Sequence, residues 1–466
     1  MNISKTLSVF AMSAMLLIGA TSCDKDDYDA DDPAINLDKY KPQNEAAISK
    51  AQIAAKVNPF KDAYYYDVMQ YVWSKEFTEF ASKVTTFSNN ASAAIGAKSD
   101  GNTVVSPLSV FMALAMAAES ADGDTRKEIL DVMGITYEEL NANIRSVCYL
   151  CNQCLDRGLS SSGGKNQIKS VNSLWVKDGI KVKDEGVNAL TSKYFTDLFY
   201  MKFNETDVNK IISSYISNET EGLLNPKLEI NPETFLVLMN VVYLREIWNE
   251  YANDLSLTDK NYNFVNYDQS KTNTQLLQGY YNSGKAIDTE KFRKFYTTTY
   301  GDLSLTFIVP KDGYTLDDIY TAEQLNNPTP YTMVDTTSDP EVNYRFHTRC
   351  FFPEFKASFD GYLENTIKAM GVKKFFTRFE CDFSHLTDEG VYCDKIRHVA
   401  QLEVNRKGIE GAAVTIEEMR GNMANNGPAE KNWKDVYEDF IVDRNFAFII
   451  QKNGLPIFTG VVKTIE

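Results

Sequence analysis

The chain has 466 residues, 43% hydrophobic and 24% charged, the balance of an ordinary globular protein with apolar mass for one large domain or two small ones. Its 48 Lys and Arg against 64 Asp and Glu give a net charge of −16. The basic residues are scattered, so nucleic acid and anionic polysaccharide are poor candidate partners.

Lys5 precedes an apolar run from Leu7 to Ile18, and the small residues "GATS" lead directly into Cys23. Such a run reads as a secretory signal over residues 1–22 and is too short to stay in a bilayer as a spanning helix. Small residues before a cysteine resemble the lipobox of bacterial lipoproteins, which implies diacylation of Cys23 and a membrane contact through that lipid alone. An ordinary secretory signal with a chance cysteine is the alternative. The following "CDKDDYDADDP" is an acidic, solvated spacer that resembles the tags sending some lipoproteins to the cell surface. The expected address is therefore the outer membrane or cell surface, with residues 23–59 as tether and residues 60–466 as the folded domain.

"SPLSVFMALAMAAES" predicts a helix with Ser106-Pro107 at its start, where proline's fixed φ and missing N–H do least harm. "DTRKEILDVMG" predicts a short amphipathic helix closed by Gly134. In "EELNANIRSVCYLCNQCLDRG" the cysteines Cys148, Cys151 and Cys154 have a spacing that thiolates sharing a metal also use. The stretch lacks Gly and Pro before its end, however, and reads as a helix whose cysteines drift along one face without a fourth ligand nearby. Strands rich in β-branched and aromatic residues follow: "SVNSLWVK", "FLVLMNVVYL", "LSLTFIVP", "RHVAQLEVN" and "FAFIIQKNGLPIFTGVV". Several are apolar on both faces and belong inside a covered sheet; the last folds back on itself at "KNG" as a hairpin. The three histidines stand in "FHTRC", "FSHLT" and "IRHVA" with no nucleophile or metal motif beside them, so no enzyme chemistry and no cofactor are expected.

These segments, in this order, resemble the serpin family. "NTVVSPLSVFMALAMAAESADGDTRKEIL" is similar to its helix B block, "LVLMNVVYLREIW" to the block ending in its tryptophan, here Trp248, and "YGDLSLTFIVPKDG", "FPEFKASFDGYLENTIKAMGVKKFF" and "FIVDRNFAFIIQKNGLPIFTGVV" to later blocks. The resemblance spans about 400 residues. It implies an α+β fold with a large central β-sheet, two smaller sheets, about eight or nine helices and an exposed reactive loop over about residues 406–440.

The resemblance also implies roles for particular residues. Gly408, Ile409, Glu410, Gly411, Ala412, Ala413, Val414 and Thr415 match the hinge, which enters the central sheet as an extra strand once the loop is cut. An inserting strand must present small side chains to the core, and successive side chains alternate faces. With Ile409 inward, so are Gly411, Ala413, Thr415 and Glu417. Family members carry Thr at the position of Ile409 and Ala at that of Gly411, so a bulkier side chain leads the hinge here. Ser109, Asn240 and His398 match the shutter, with mutual hydrogen bonding expected. Trp248, Glu354 and Arg406 match the breach, where the family's Glu–Lys pair stands with both signs reversed, predicting an ion pair of swapped polarity. Counting from Gly408 puts the reactive bond between Asn422 and Met423, with Arg420 and Met419 as alternatives.

Two functions are compatible with this reading. One is a trap for serine proteases, and secondarily cysteine proteases, in which the acyl-enzyme is dragged across the molecule by an arm of about fifteen residues reaching ~50 Å. The other is a non-inhibitory surface protein that keeps the fold for binding; a monomer is expected in either case. The small residues of "GIEGAAVT" favour the trap.

Overall fold

The computed structural model describes residues 10–18, 71–72, 74–96, 101–152, 167–203, 207–248, 255–299, 303–326, 331–339, 342–409 and 432–465. Along the chain come β1 (Phe10–Ile18), α1 (Lys75–Gly96), β2 (Thr103–Val105), α2 (Pro107–Ser120), α3 (Gly123–Met133), α4 (Tyr137–Leu150), β3 (Gln167–Lys177), α5 (Asp184–Lys193), β4 (Asp197–Met201), α6 (Val208–Glu219) and β5 (Leu236–Ile247). Then follow β6 (Ser256–Leu257), β7 (Tyr262–Val265), β8 (Lys271–Thr274), β9 (Leu277–Ser283), β10 (Ile287–Asp288), β11 (Phe292–Thr298), β12 (Leu303–Pro310), α7 (Leu316–Ile319), α8 (Ala322–Leu325) and β13 (Val334–Asp335). The last elements are β14 (Val342–Phe352), β15 (Phe355–Tyr362), α9 (Glu364–Met370), β16 (Lys395–Val404), β17 (Gly408–Ile409), β18 (Asn432–Ile441), β19 (Phe446–Lys452) and β20 (Leu455–Val462).

The central sheet runs β15-β16-β1-β5-β3-β4, with β17 on the far end of β5, and all its pairs are antiparallel except β3 with β4. A second sheet runs β10-β11-β12-β19-β20-β2, and a third gathers β13, β14, β9, β6 and β18. This is the α+β architecture expected from the sequence, and each strand predicted there is found as a strand.

Local chemistry accounts for the helices that carry the site. In α2 every residue is buried, as an all-apolar helix requires. Its first turn is closed by Ser106, whose Oγ accepts from the Ser109 N–H, and Pro107 fills the position where no donor is needed. α3 ends on Gly134 in the left-handed region at φ 69°, a conformation that favours glycine. α4 begins with a capping box between Thr136 and Glu139. Cys148 lies buried in α4 and Cys151 caps it; burial raises both thiols, Cys151 to about 12. Cys154 lies outside the described residues.

β5 organises the core because both its faces are covered. Leu236, Leu238, Val242 and Leu244 join the main cluster with α2, while Val237, Met239, Val241 and Tyr243 join a second cluster with Ile211, Ile212, Tyr215 and Ile216 of α6. The β19–β20 hairpin turns through Asn453 at φ 48° and Gly454 at φ 79°, the paired left-handed residues that suit a tight hairpin.

One element departs from the sequence reading. Phe10–Ile18, read as a leader and set apart from the fold, forms a strand between β5 and β16, pairing with nine residues of one and seven of the other. An apolar run free of Gly, Pro and charge over nine residues is as good a buried strand as it is a signal core, and β5 and β16 leave a lane one strand wide.

Candidate functional site

The site is that lane and the turn at its mouth. β16 ends at Val404, and the chain reverses through Arg406-Lys407, closed by the Asn405 N–H donating to the Gly408 carbonyl at 3.0 Å and the Gly408 N–H to the Asn405 carbonyl at 3.2 Å. The Asn405 side chain reinforces the corner by accepting from the Lys407 N–H at 2.9 Å, the local hydrogen bonding that makes Asn a turn residue. Beyond the corner, Gly408 and Ile409 pair with Ile247 and Glu246 of β5. The first two residues of the expected hinge thus lie paired at the end of β5. Ile409 is fully buried within the main core, so the side chain bulkier than the family's threonine occupies its inward place without obstruction.

The register at the mouth continues into the lane. Extending Gly408 opposite Ile247 by seven residues brings position 415 opposite Asn240, and extending Asn405 opposite Gly408 by the same seven brings it opposite His398. Ala14 of β1 pairs with those two residues. Phe10–Ile18 thus fills the space between β5 and β16 beyond the corner. Of the hinge, Glu410, Gly411, Ala412, Ala413, Val414 and Thr415 lie outside the described residues, as do Glu417, the reactive-bond candidates Met419, Arg420, Asn422 and Met423, and the lipidation candidate Cys23.

At mid-lane stand the shutter residues, all fully buried. Ser109 Oγ donates to the Asn240 main-chain carbonyl at 3.3 Å. The Asn240 amide donates to Ser170 Oγ and Asn172 Oδ1, both at 2.8 Å, and Asn172 is itself fixed by donating to the Tyr194 carbonyl at 2.7 Å. His398 Nε2 accepts from the Ser106 N–H at 3.1 Å, and Ser106 Oγ donates to the Ile457 carbonyl at 2.7 Å. The mutual side-chain bonding expected among Ser109, Asn240 and His398 is replaced by links through the main chain and through Ser106, because a strand's width separates Asn240 from His398. Burial drives the His398 ring down from 6.5 to about 3, only slightly opposed by Asp360, which keeps it neutral.

At the breach, Trp248 is buried and donates from Nε1 to the Asn405 carbonyl at 2.8 Å. Glu354 meets Arg406 through the backbone: its Oε1 accepts from the Arg406 N–H at 2.9 Å. Where an ion pair was expected the structure shows a main-chain contact, which does not depend on the side chain at 406. Arg406 also anchors the next segment, its carbonyl accepting from the Leu255 N–H at 2.7 Å.

Sequence reasoning missed Ser106, Ser170, Asn172 and Asn405. Two had a signal: Asn405 as an Asn one residue before a two-residue corner, and Ser106 as the residue before the helix-starting proline.

The match to known proteins follows this geometry. A family model described as Serpin (serine protease inhibitor) covers residues 82–464. An uncharacterized serpin-like protein of Methanosarcina mazei is 24% identical over 374 residues, 78% of this chain and 82% of its own length. Serpin A3-5 of Bos taurus is 26% identical over 324 residues, 67% of this chain and 74% of its own. Among solved structures, the thermophilic serpin tengpin in its native state superposes with a TM-score of 0.61 at 20% identity, covering 83% of this chain and 94% of that one. Cleaved serpin 42Da superposes with a TM-score of 0.64 at 19% identity, covering 84% and 98%. By the extent of the family match and the order of its sheets, this chain belongs to the serpin family.

Proposed function

We propose that this chain inhibits proteases by strand insertion, and that it does so tethered to a bacterial envelope through a lipid on Cys23. The observation that supports the reading is the lane: β5 and β16 flank one strand's width, and Gly408–Ile409 pair with β5 at its mouth, just before a sequence of small residues. Removal of residues 1–22 during export would clear β1 from the lane. The loop then remains outside, held by the corner at Asn405–Gly408, until a protease cuts it. Released from its C-terminal half, the hinge feeds residues 411–419 into the lane, and each new pair of strand neighbours adds ladder hydrogen bonds and buries apolar surface. The protease, still esterified to the new C-terminus, travels with it and is distorted before deacylation.

The target is a serine protease, with the cysteine class second. A cut after Asn422 or Met423 leaves an arm of full length, whereas one after Arg420 shortens it by two residues. The test is incubation of the exported protein with serine and cysteine proteases, followed by a denaturing gel and intact-mass analysis of the released C-terminal peptide. A covalent band with the mass of both partners, and a peptide starting at Met423 or Ala424, is the expected result. Turnover of the chain without a covalent band, or a peptide starting beyond Pro428, would favour the second reading: a surface binding protein for which the inward Glu417 has closed the lane to the loop.

A further inference from the structure

Among the described cysteines, Cys148, Cys151, Cys350 and Cys393 are buried, whereas Cys381 is half-buried against the main core. The loop between Cys381 and Cys393 leaves one turn and returns to it. The Cys381 N–H donates to the Thr377 carbonyl at 3.1 Å and the Cys393 N–H to the Phe375 carbonyl at 2.9 Å, so both cysteines hang from carbonyls two residues apart. The loop is moored on three neighbours. The Asp382 N–H donates to Thr125 Oγ1 of α3 at 2.9 Å, the Leu386 N–H donates to the Ser120 carbonyl at the end of α2 at 3.2 Å, and the Leu386 carbonyl accepts from the Lys183 N–H ahead of α5 at 2.7 Å. Phe375 and Phe383 stack with ring centroids 5.7 Å apart, which folds the loop back onto the turn. At that closure the Cys393 amide lies against the Cys381 sulfur, and Cys381 is the strongest electrostatic neighbour of the Cys393 thiol. A sulfur in contact with an amide nitrogen is one N–Cα bond, ~1.5 Å, from the next Cα, which brings the pair within the Cα separation of about 4.4–6.8 Å that a disulfide spans.

We propose that Cys381 and Cys393 are a disulfide-forming pair, closed in the exported protein by exchange with an external disulfide. The Cys381 thiolate attacks one sulfur of that disulfide, forming a mixed disulfide and releasing one thiol; the Cys393 thiolate then attacks the Cys381 sulfur and releases the second. Two cysteine thiols are oxidised and one external disulfide is reduced to two thiols, which carry away the two protons. Burial raises the Cys381 thiol to about 12 and the Cys393 thiol well above its ordinary value, so the folded chain holds little thiolate and the bond forms as the chain folds. The oxidising setting rests on the export reading above; the pairing rests on the fold alone. β16 starts at Lys395, just beyond Cys393, so the bond pins the root of a strand that borders the lane, and closing the loop restricts the unfolded chain.

The test refolds the purified full chain from guanidinium chloride in two buffers, one with mixed oxidised and reduced glutathione and one with reductant alone. The expected result in the first is a non-reducing peptide map with one fragment joining the Cys381 and Cys393 peptides, lighter by two hydrogens than their reduced sum. The oxidised protein should unfold at a higher denaturant concentration than the reduced one, and C381S and C381A, which change a half-buried position and spare the core, should abolish that difference. Glutathione added to the already folded chain should close the bond far more slowly than refolding does. A map in which Cys381 carries glutathione, stays open to alkylation or is joined to another cysteine overturns the pair, and a crosslink with no rise in midpoint overturns its stabilising role. The same map on protein recovered from the cell surface tests the setting: both residues found as thiols there, with the pair closing on refolding, overturns the oxidising address and leaves the pairing in place.

Discussion

Replacing Glu417 by valine tests the register of the lane most severely. If the loop inserts as proposed, extending the register of Gly408 would bring residue 417 opposite Leu238 of β5 and Ile396 of β16, both buried in the cluster that packs on α2. An ionised carboxylate placed there sheds its water and meets only apolar neighbours, at a cost of roughly 3–5 kcal/mol even after local relaxation. The opposing term can be read from β1, which makes nine residue pairs with β5 and seven with β16. At about one ladder hydrogen bond per pair and ~1 kcal/mol net for each, a filled lane is worth on the order of 15 kcal/mol before apolar burial is added. Glu417 therefore removes a substantial part of the driving force without reversing it. It is also the seventh of the nine lane residues, so its penalty arrives after most of the strand has engaged and slows only the last part of insertion.

The expected phenotype of wild type is thus a trap that leaks: some acyl-enzymes hydrolyse while the arm stalls. E417V should lower the number of inhibitor molecules consumed per protease inactivated, by as much as tenfold for each ~1.4 kcal/mol removed from the limiting step. It should raise the guanidinium midpoint of the cleaved form while leaving the intact form unchanged. Titration of a fixed amount of protease against each inhibitor, with unfolding of the cleaved proteins, measures both. If E417V matches wild type in both assays, residue 417 does not face α2 and the register carried from Gly408 is wrong.

Three further outcomes follow from buried contacts. The folded pKa of His398, about 3, lies below the unfolded value of 6.5, so as pH falls below 6.5 the unfolded chain binds a proton that the folded ring refuses. Its burial should then reduce stability by about 1.4 kcal/mol per pH unit between roughly pH 6 and 3; denaturant midpoints at pH 7 and 5 should diverge less in H398Q, and an unchanged slope would contradict the assignment. Because Glu354 bonds the Arg406 N–H, E354A should cost about 1 kcal/mol while R406A costs under ~0.5 kcal/mol, and a double-mutant cycle with R406E and E354K giving coupling above ~1 kcal/mol would restore the side-chain pair. At Gly460 a Cβ would stand 2.0 Å from the Thr103 carbonyl oxygen and 2.7 Å from the Phe448 ring, so G460A should lose about 3 kcal/mol or more in urea unfolding, and a loss under ~1 kcal/mol would mean that β2 and β20 pack less closely.

What the sequence made legible is what side-chain identity determines. Apolar faces marked β3, β5, β12, β16 and the β19–β20 hairpin, and caps and glycine marked α2 and α3. Less legible were contacts carried by the main chain, which any residue supplies. The Arg406 N–H to Glu354, the Ser109 hydroxyl to the Asn240 carbonyl and the Ser106 N–H to His398 leave no pattern of residue types to read. The two charge reversals at 354 and 406 invited an electrostatic account because charge is what a sequence displays, whereas the backbone bond beneath it is silent about the side chain at 406.

The same limit explains why Phe10–Ile18 has two readings. A secretory core and a buried central strand ask for the same thing over nine residues, an unbroken apolar run, and they differ only in what lies beside it. The neighbours of this run in sequence, Lys5 before it and "GATS" with Cys23 after it, speak for export. Its neighbours in space are the free edges of β5 and β16, whose N–H and C=O groups any extended segment can pair. A polar place along those edges is the Asn240–His398 position, where Asn240 Oδ1 and His398 Nδ1 have no hydrogen-bond partner among the described residues.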